Sequence, residues 1–286
     1  MDTEHRKPFW LYPNLLSLDA PLVAVLWLHV FSKTWRLGYH PWEAYACLAM
    51  AVWAICVADR LLDVSMRGVS STTLAIRHQF HHQHRIVFFL GMILAVLLTM
   101  ALILTKMPMT IYKPLLTGCL LVAGFFGLSM LSSQESHEVP HAKNVIAGAA
   151  FAFGTAIMAH LYRWEYGMFD LLASREFVCF AVLCILNISA IDLWEHAARS
   201  KDLETSASDE LALTLPLTLL GGASLMFALM DDAQATRPFF YAILTGSALL
   251  YILNRTRSQF SLDTLRVLAD VALMAPVLVF LAASSR

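Results

Sequence analysis

Nine runs of mostly apolar residues, each near the roughly 20 residues needed to cross bilayer hydrocarbon, follow one another along the chain. They lie at 15–34, 41–63, 86–105, 109–131, 144–161, 176–196, 211–230, 238–254 and 264–284. Lipid offers no partner to a backbone N–H or C=O, so a spanning segment must close its own hydrogen bonds. The expected fold is therefore all-α: a polytopic membrane protein, with a bundle of about nine transmembrane helices around a central cavity. No connection is long enough for a soluble domain, so residues 1–286 are expected to form one unit.

Composition agrees. Hydrophobic residues make up 58% of the chain and charged residues 14%, where soluble domains carry about 25% charged residues. The mean hydropathy is +0.63. A net charge of −1 gives no bulk attraction for nucleic acid. The cysteines fall inside apolar runs without paired spacing and read as buried thiols. The N-terminal stretch has no small-residue cleavage site before a short apolar core, so no removable signal is expected.

Charge bias sets the orientation. The side holding the N-terminus and the even-numbered connections carries eleven Lys and Arg residues against eight opposite, with Arg60 inside helix 2 left out. That favours a cytoplasmic N-terminus, and with it a cytoplasmic face for the acidic residues described next.

"VADRLLDV" (57–64) closes the second apolar run with Asp59 and Asp63 four apart on one helix face. The C-terminal end of a helix disfavours anions, so neither acid stabilises the helix. The pattern recurs at the end of the sixth run, "NISAIDLWEHAARSKD", with Asp192 and Glu195. Four crossings separate helices 2 and 6, so both acidic pairs emerge on the same membrane side. Four carboxylates facing one another require a cation between them. Mg²⁺ fits, because it takes oxygen ligands and is usually held by one or two carboxylates together with substrate phosphates. Arg67, Arg77, Lys143, Arg199 and Lys201 lie on the same side, placed to neutralise a diphosphate. Intramembrane acids mark functional sites by default.

Two deeper polar residues join them. Asn187 sits about 7 Å inside Asp192 by helical rise, where it orients a diphosphate oxygen or an acceptor group, or bonds another helix. Asp270 lies within helix 9, with Arg266 one turn earlier as a natural ion-pair partner; otherwise it contacts the substrate from the pocket wall.

These residues resemble the UbiA superfamily of intramembrane prenyltransferases, whose members have nine membrane helices and the motifs NDxxDxxxD and YxxxKDxxDxxxD after helices 2 and 6. "ICVADRLLD" (55–63) is similar to the first, with Ile55 and Cys56 in place of its Asn and Asp. "NISAIDLWEHAAR" (187–199) is similar to the second, with Asn187, Ile191, Glu195 and Arg199 in place of its Tyr, Lys and last two Asp. "SLDAPLVAVLW" (17–27) and "KNVIAGAAFAFGT" (143–155) are similar to the family's helices 1 and 5.

The resemblance implies a Mg²⁺-dependent enzyme that ionises an isoprenyl diphosphate and transfers the prenyl group to an aromatic or lipid-like acceptor. It implies Asp59, Asp63, Asp192 and Glu195 as metal ligands, with Trp53, Phe125, Phe126, Phe151, Phe153 and Trp194 as candidate walls for the carbocation. Loss of the Tyr, Lys and Asn-Asp keeps terpene cyclisation, which needs no acceptor, as the alternative.

Two other classes are open. "RHQFHHQHR" holds His78, His81 and His82 in the HxxHH spacing of membrane di-iron oxidases, and His137 and His141 form HxxxH. Imidazole suits iron, but no second HxxHH box is present. A non-catalytic scaffold is the other class.

Overall fold

The computed structural model describes residues 9–67, 76–132, 141–199, 203–231 and 235–285, and every regular element among them is helical. We number the helices α1 (Asp19–Thr34), α2 (Trp42–Arg67), α3 (Arg85–Lys106), α4 (Tyr112–Ser132), α5 (His141–His160), α6 (Arg175–Arg199), α7 (Leu203–Met230), α8 (Arg237–Thr256), α9 (Leu262–Met274) and α10 (Pro276–Ser284). Each apolar run is thus helical. Among the described residues seven spans are long and apolar enough to cross a membrane, or eight if a bent pair at the start of the chain counts as one. The protein is an integral, multi-pass membrane protein. α8 has the length but falls short in apolar character.

The departures from the apolar runs have local causes. α7 begins at Leu203, several residues before its apolar run, because a polar segment extends the helix beyond the hydrocarbon. The ninth run divides into α9 and α10 at Pro276, which has no N–H to continue the ladder. Ahead of α1, residues 9–15 form a short helical segment at 81° to it, and Ser17 at the corner has φ 59°. α2 holds that corner in place: Trp53 Nε1 donates to Leu16 O at 2.9 Å, and Arg60 Nη1 donates to Asn14 O at 2.5 Å.

Five helices close a ring: α1 on α2, α2 on α5, α5 on α6, α6 on α9, and α9 back on α1. Two of the seams show how closely they meet. Trp27 Nε1 of α1 donates to Leu273 O of α9 at 2.8 Å. At the α5–α6 seam a Cβ on Gly148 would lie 2.6 Å from both the N and the Cα of Ile185, so the two backbones touch there. α7 and α8 pack against α6, while α3 packs on α2 and α4 on α5. α3 and α4 turn broad apolar faces outward, including Leu90, Leu94, Leu97, Leu116 and Leu120. Trp27 and Phe31 of α1, Phe180 of α6 and Phe239 of α8 pack together, all fully buried. The Trp27 and Phe180 centroids are 4.5 Å apart, and those of Phe31 and Phe239 5.2 Å.

The Gly148 seam predicts an unusual sensitivity. Gly148→Ala puts a methyl group against backbone that cannot rotate away, so the helices must separate, at a cost of about 1–3 kcal/mol. Gly154 lies on the same helix, and a Cβ added there would have nothing within 4 Å. Gly154→Ala should therefore be neutral or stabilise by about 0.5–1 kcal/mol through helix propensity. Thermal unfolding of both variants in detergent separates the two effects; equal melting temperatures would refute the close seam.

Candidate functional site

The candidate acids lie on three helices of the ring. Asp59 and Asp63 lie on the last turns of α2, Asp192 and Glu195 near the end of α6, and Asp270 within α9, all half-buried. Asp59 Oδ1 is 3.9 Å from Lys143 Nζ at the start of α5, and Lys143 Nζ sits 5.2 Å from the Phe125 ring centroid on α4. The ammonium is therefore held between a carboxylate and an aromatic face.

The Cys56 sulfur lies within electrostatic reach of Asp19, Asp59, Asp270 and Arg60. Cys56 stands where the family's first motif has Asp. Asp19 accepts from Asn14 Nδ2 at 2.6 Å, and its carboxylate is 4.0 Å from Arg60. Arg60 is buried in this arrangement and serves the corner of the chain.

Arg266 reaches across to α6. Its Nη2 and Nε donate to Glu195 Oε1 at 2.6 and 3.2 Å, and its Nη1 donates to Asp263 Oδ1 at 2.7 Å. The partner expected for Arg266 was Asp270; its hydrogen bonds go to Glu195 and Asp263. Both bonds to Glu195 fall on one oxygen, and Oε2 accepts none among the described residues. Asp63 makes no hydrogen bond or ion pair among the described residues.

Asn187 and Asn144 are almost fully buried, and Asn187 Oδ1 and Asn144 Nδ2 have no hydrogen-bond partner among the described residues. Buried amide atoms are rarely left so. Asn144 follows Lys143 directly and lies one turn before Gly148 on α5. It escaped the sequence reading because a single amide beside a lysine carries no spacing signal. The side chains of Arg67, Arg77 and Arg199, and Lys201 altogether, lie outside the described residues.

Three of the six candidate aromatic walls have other work. Trp194 is buried and donates to Asn254 Oδ1 at 2.9 Å, Phe153 is core, and Trp53 ties down the corner at Leu16. Phe125 lies directly against a charged site residue, Lys143. His81 is fully buried, stacked on Phe88 with centroids 4.1 Å apart, and its Nε2 is 3.2 Å from Ser17 Oγ. The side chain of His78 and all of His137 lie outside the described residues. Among the described residues no three His, Cys, Asp or Glu side chains come close enough together to hold a metal ion by themselves.

The donor set nonetheless has the character a magnesium–diphosphate pair requires. It consists of hard oxygen ligands, a half-buried carboxylate without a described partner at Asp63, an uncommitted oxygen at Glu195 and a lysine fixed beside Asp59. Mg²⁺ keeps waters and shares its shell with substrate phosphates, so it needs no all-protein cage. No family model matches the chain, and no curated protein or solved structure matches it.

Proposed function

We propose that the protein is a Mg²⁺-dependent intramembrane prenyltransferase, which ionises an isoprenyl diphosphate and passes the prenyl group to an aromatic or lipid-like acceptor. Two acid–base pairs between ring helices carry this reading: Asp59 of α2 lies beside Lys143 of α5, and Glu195 of α6 is bonded by Arg266 of α9. Such polar pairs on an otherwise apolar bundle match a substrate with a charged head and a long hydrocarbon tail.

Asp59, Asp63, Asp192 and Oε2 of Glu195 would hold Mg²⁺ together with the diphosphate, and the bound ion supplies Lewis-acid stabilisation of the leaving group. Lys143 places a fixed positive charge where the diphosphate gains negative charge as the C–O bond breaks. Arg266 holds Glu195 in position rather than touching substrate. Asn187 offers a buried acceptor and Asn144 a buried donor to polar groups entering the ring. The buried aromatic floor at Trp27 and Phe31 excludes water below the acids and limits how deep a prenyl tail can run.

The test is turnover of C10 to C20 prenyl diphosphates by detergent-purified protein, with Mg²⁺ or with EDTA. Magnesium-dependent diphosphate release is expected, abolished by Asp59→Ala and by Asp192→Ala in variants that remain folded. Turnover that persists in EDTA, or in both variants, removes the assignment. Release without added acceptor, yielding a hydrocarbon, would identify the reaction as cyclisation.

A further inference from the structure

At the opposite face of the bundle a cavity of about 610 Å³ opens between three helix connections. Its lining comes from the end of α1 (Trp35, Arg36), the α5–α6 connection (Arg163, Tyr166) and the start of α6 (Glu176). None of these belongs to the candidate acidic site. The Arg163 guanidinium lies 4.7 Å from the Trp35 ring centroid and 3.9 Å from that of Tyr166, so it is held in place by both rings. Neither Arg163 nor Arg36 has an ion pair among the described residues, and Glu176 has none either. Asp170, also in the lining, caps a short helix by accepting from Gly167 N at 2.7 Å.

Arg36 occupies a costly position. Its φ of 52° places it in the left-handed region at the end of α1, where its N–H bonds to Lys33 O and the next N–H to Ser32 O. Glycine is the usual residue at such a helix end. An arginine there bears strain that glycine would avoid, and sets a long cationic side chain at the cavity.

The four lining charges, Arg36, Arg163, Asp170 and Glu176, sum to zero. Two guanidiniums and one carboxylate lack an ionic partner among the described residues, an arrangement suited to a ligand carrying both signs. The surroundings identify the source. Trp164 is 96% exposed and Phe169 80% exposed beside the cavity, and such rings sit at the headgroup level of membranes.

We propose that this cavity binds the zwitterionic headgroup of a phospholipid of the phosphoethanolamine type. The phosphate sits at Arg36 and Arg163 and the ammonium at Glu176. The proposal is independent of any reaction at the candidate acidic site.

The experiment measures lipid retained by the full-length protein, by native mass spectrometry, from micelles doped with phosphatidylethanolamine, phosphatidylglycerol or phosphatidylcholine. Water-soluble glycerophosphoethanolamine is the competitor. Preferential retention of phosphatidylethanolamine is expected, falling about tenfold or more in Arg36→Gln, the worth of one charge-assisted contact. Arg163→Gln should act likewise, and Glu176→Gln should erase the preference over phosphatidylcholine. Helical circular dichroism confirms the fold of each variant, and the exposed Arg36 keeps the test valid if Arg163→Gln misfolds. Equal retention of the three lipids, preference for phosphatidylglycerol, or no effect of Arg36→Gln overturns the proposal. Displacement by the soluble headgroup at concentrations no higher than the lipid's assigns the cavity to a soluble ligand and also overturns it.

Discussion

Asp63→Asn is expected to remove magnesium-dependent turnover and, at the same time, to raise the melting temperature. The two effects share one cause. Asp63 is half-buried near the C-terminal end of α2, makes no hydrogen bond or ion pair among the described residues, and follows Asp59 by one helical turn. A helix C-terminus and a like charge four residues away each disfavour a carboxylate, by about 0.3–1 and 0.2–0.5 kcal/mol. Neutralising it in near-isosteric form should therefore stabilise the apo protein by about 0.5–1 kcal/mol. A group kept at a cost to the fold has its use in the ligand-bound state. If Asp63 helps hold the cation and diphosphate, its loss should lower turnover by about 10²–10³-fold, in line with the removal of other preorganised charge-stabilising groups. The check is paired: thermal unfolding in EDTA and diphosphate release in Mg²⁺, on the same preparation. A polar helix end that merely meets headgroups predicts the same rise in melting temperature with turnover unchanged. A purely structural carboxylate predicts a drop in both. Opposite signs distinguish the proposed role from each.

The same distinction separates what the sequence reveals from what it conceals. Hydropathy placed a helix in each apolar run, because bilayer thickness imposes a length that local composition reports, although seven or eight rather than nine have the length and apolar character to span. It missed the Leu203 start of α7, since residues beyond the hydrocarbon stay helical without being apolar, and Glu210 there pairs with Arg255 on α8. It also missed the 81° corner before α1, which depends on Arg60 and Trp53 reaching back from another helix. In the site, Asp59 and Asp63, or Asp192 and Glu195, were legible because helical spacing fixes their shared face. Membrane sidedness put Lys143 on the side of the acids but did not give its contact with Asp59. The pairing of Arg266 with Glu195 did not follow, since 71 residues separate them and the choice between Glu195 and Asp270 is made by how α6 meets α9. Asn144 was invisible for a related reason: only burial distinguishes it from an ordinary interfacial amide. Local periodicity is written in one segment, whereas a cross-helix partner depends on two segments and the angle between them.

Arg266 makes that last dependence measurable. Its side chain is 8% exposed and holds two carboxylates, Glu195 from α6 and Asp263 from the first turn of its own helix. Arg266→Met retains most of the apolar stem and removes the fork, leaving Glu195 three-quarters buried without that counter-charge. Breaking a buried pair from one side costs about 3–5 kcal/mol, and the partial exposure of Glu195 places this variant at about 3 kcal/mol. Arg266→Lys should fall between, because an ammonium cannot bridge both carboxylates as the planar fork does. The double variant Arg266→Met with Glu195→Gln should recover part of the loss, since Glu195 then carries no unpaired charge. Unfolding in detergent by denaturant or heat supplies all four corners of the cycle, and a coupling of at least about 1 kcal/mol is expected for residues in direct contact. If Arg266→Met unfolds like the parent, or the two substitutions simply add, α9 does not hold Glu195 in place, and the acid pair on α6 must be positioned by α6 alone.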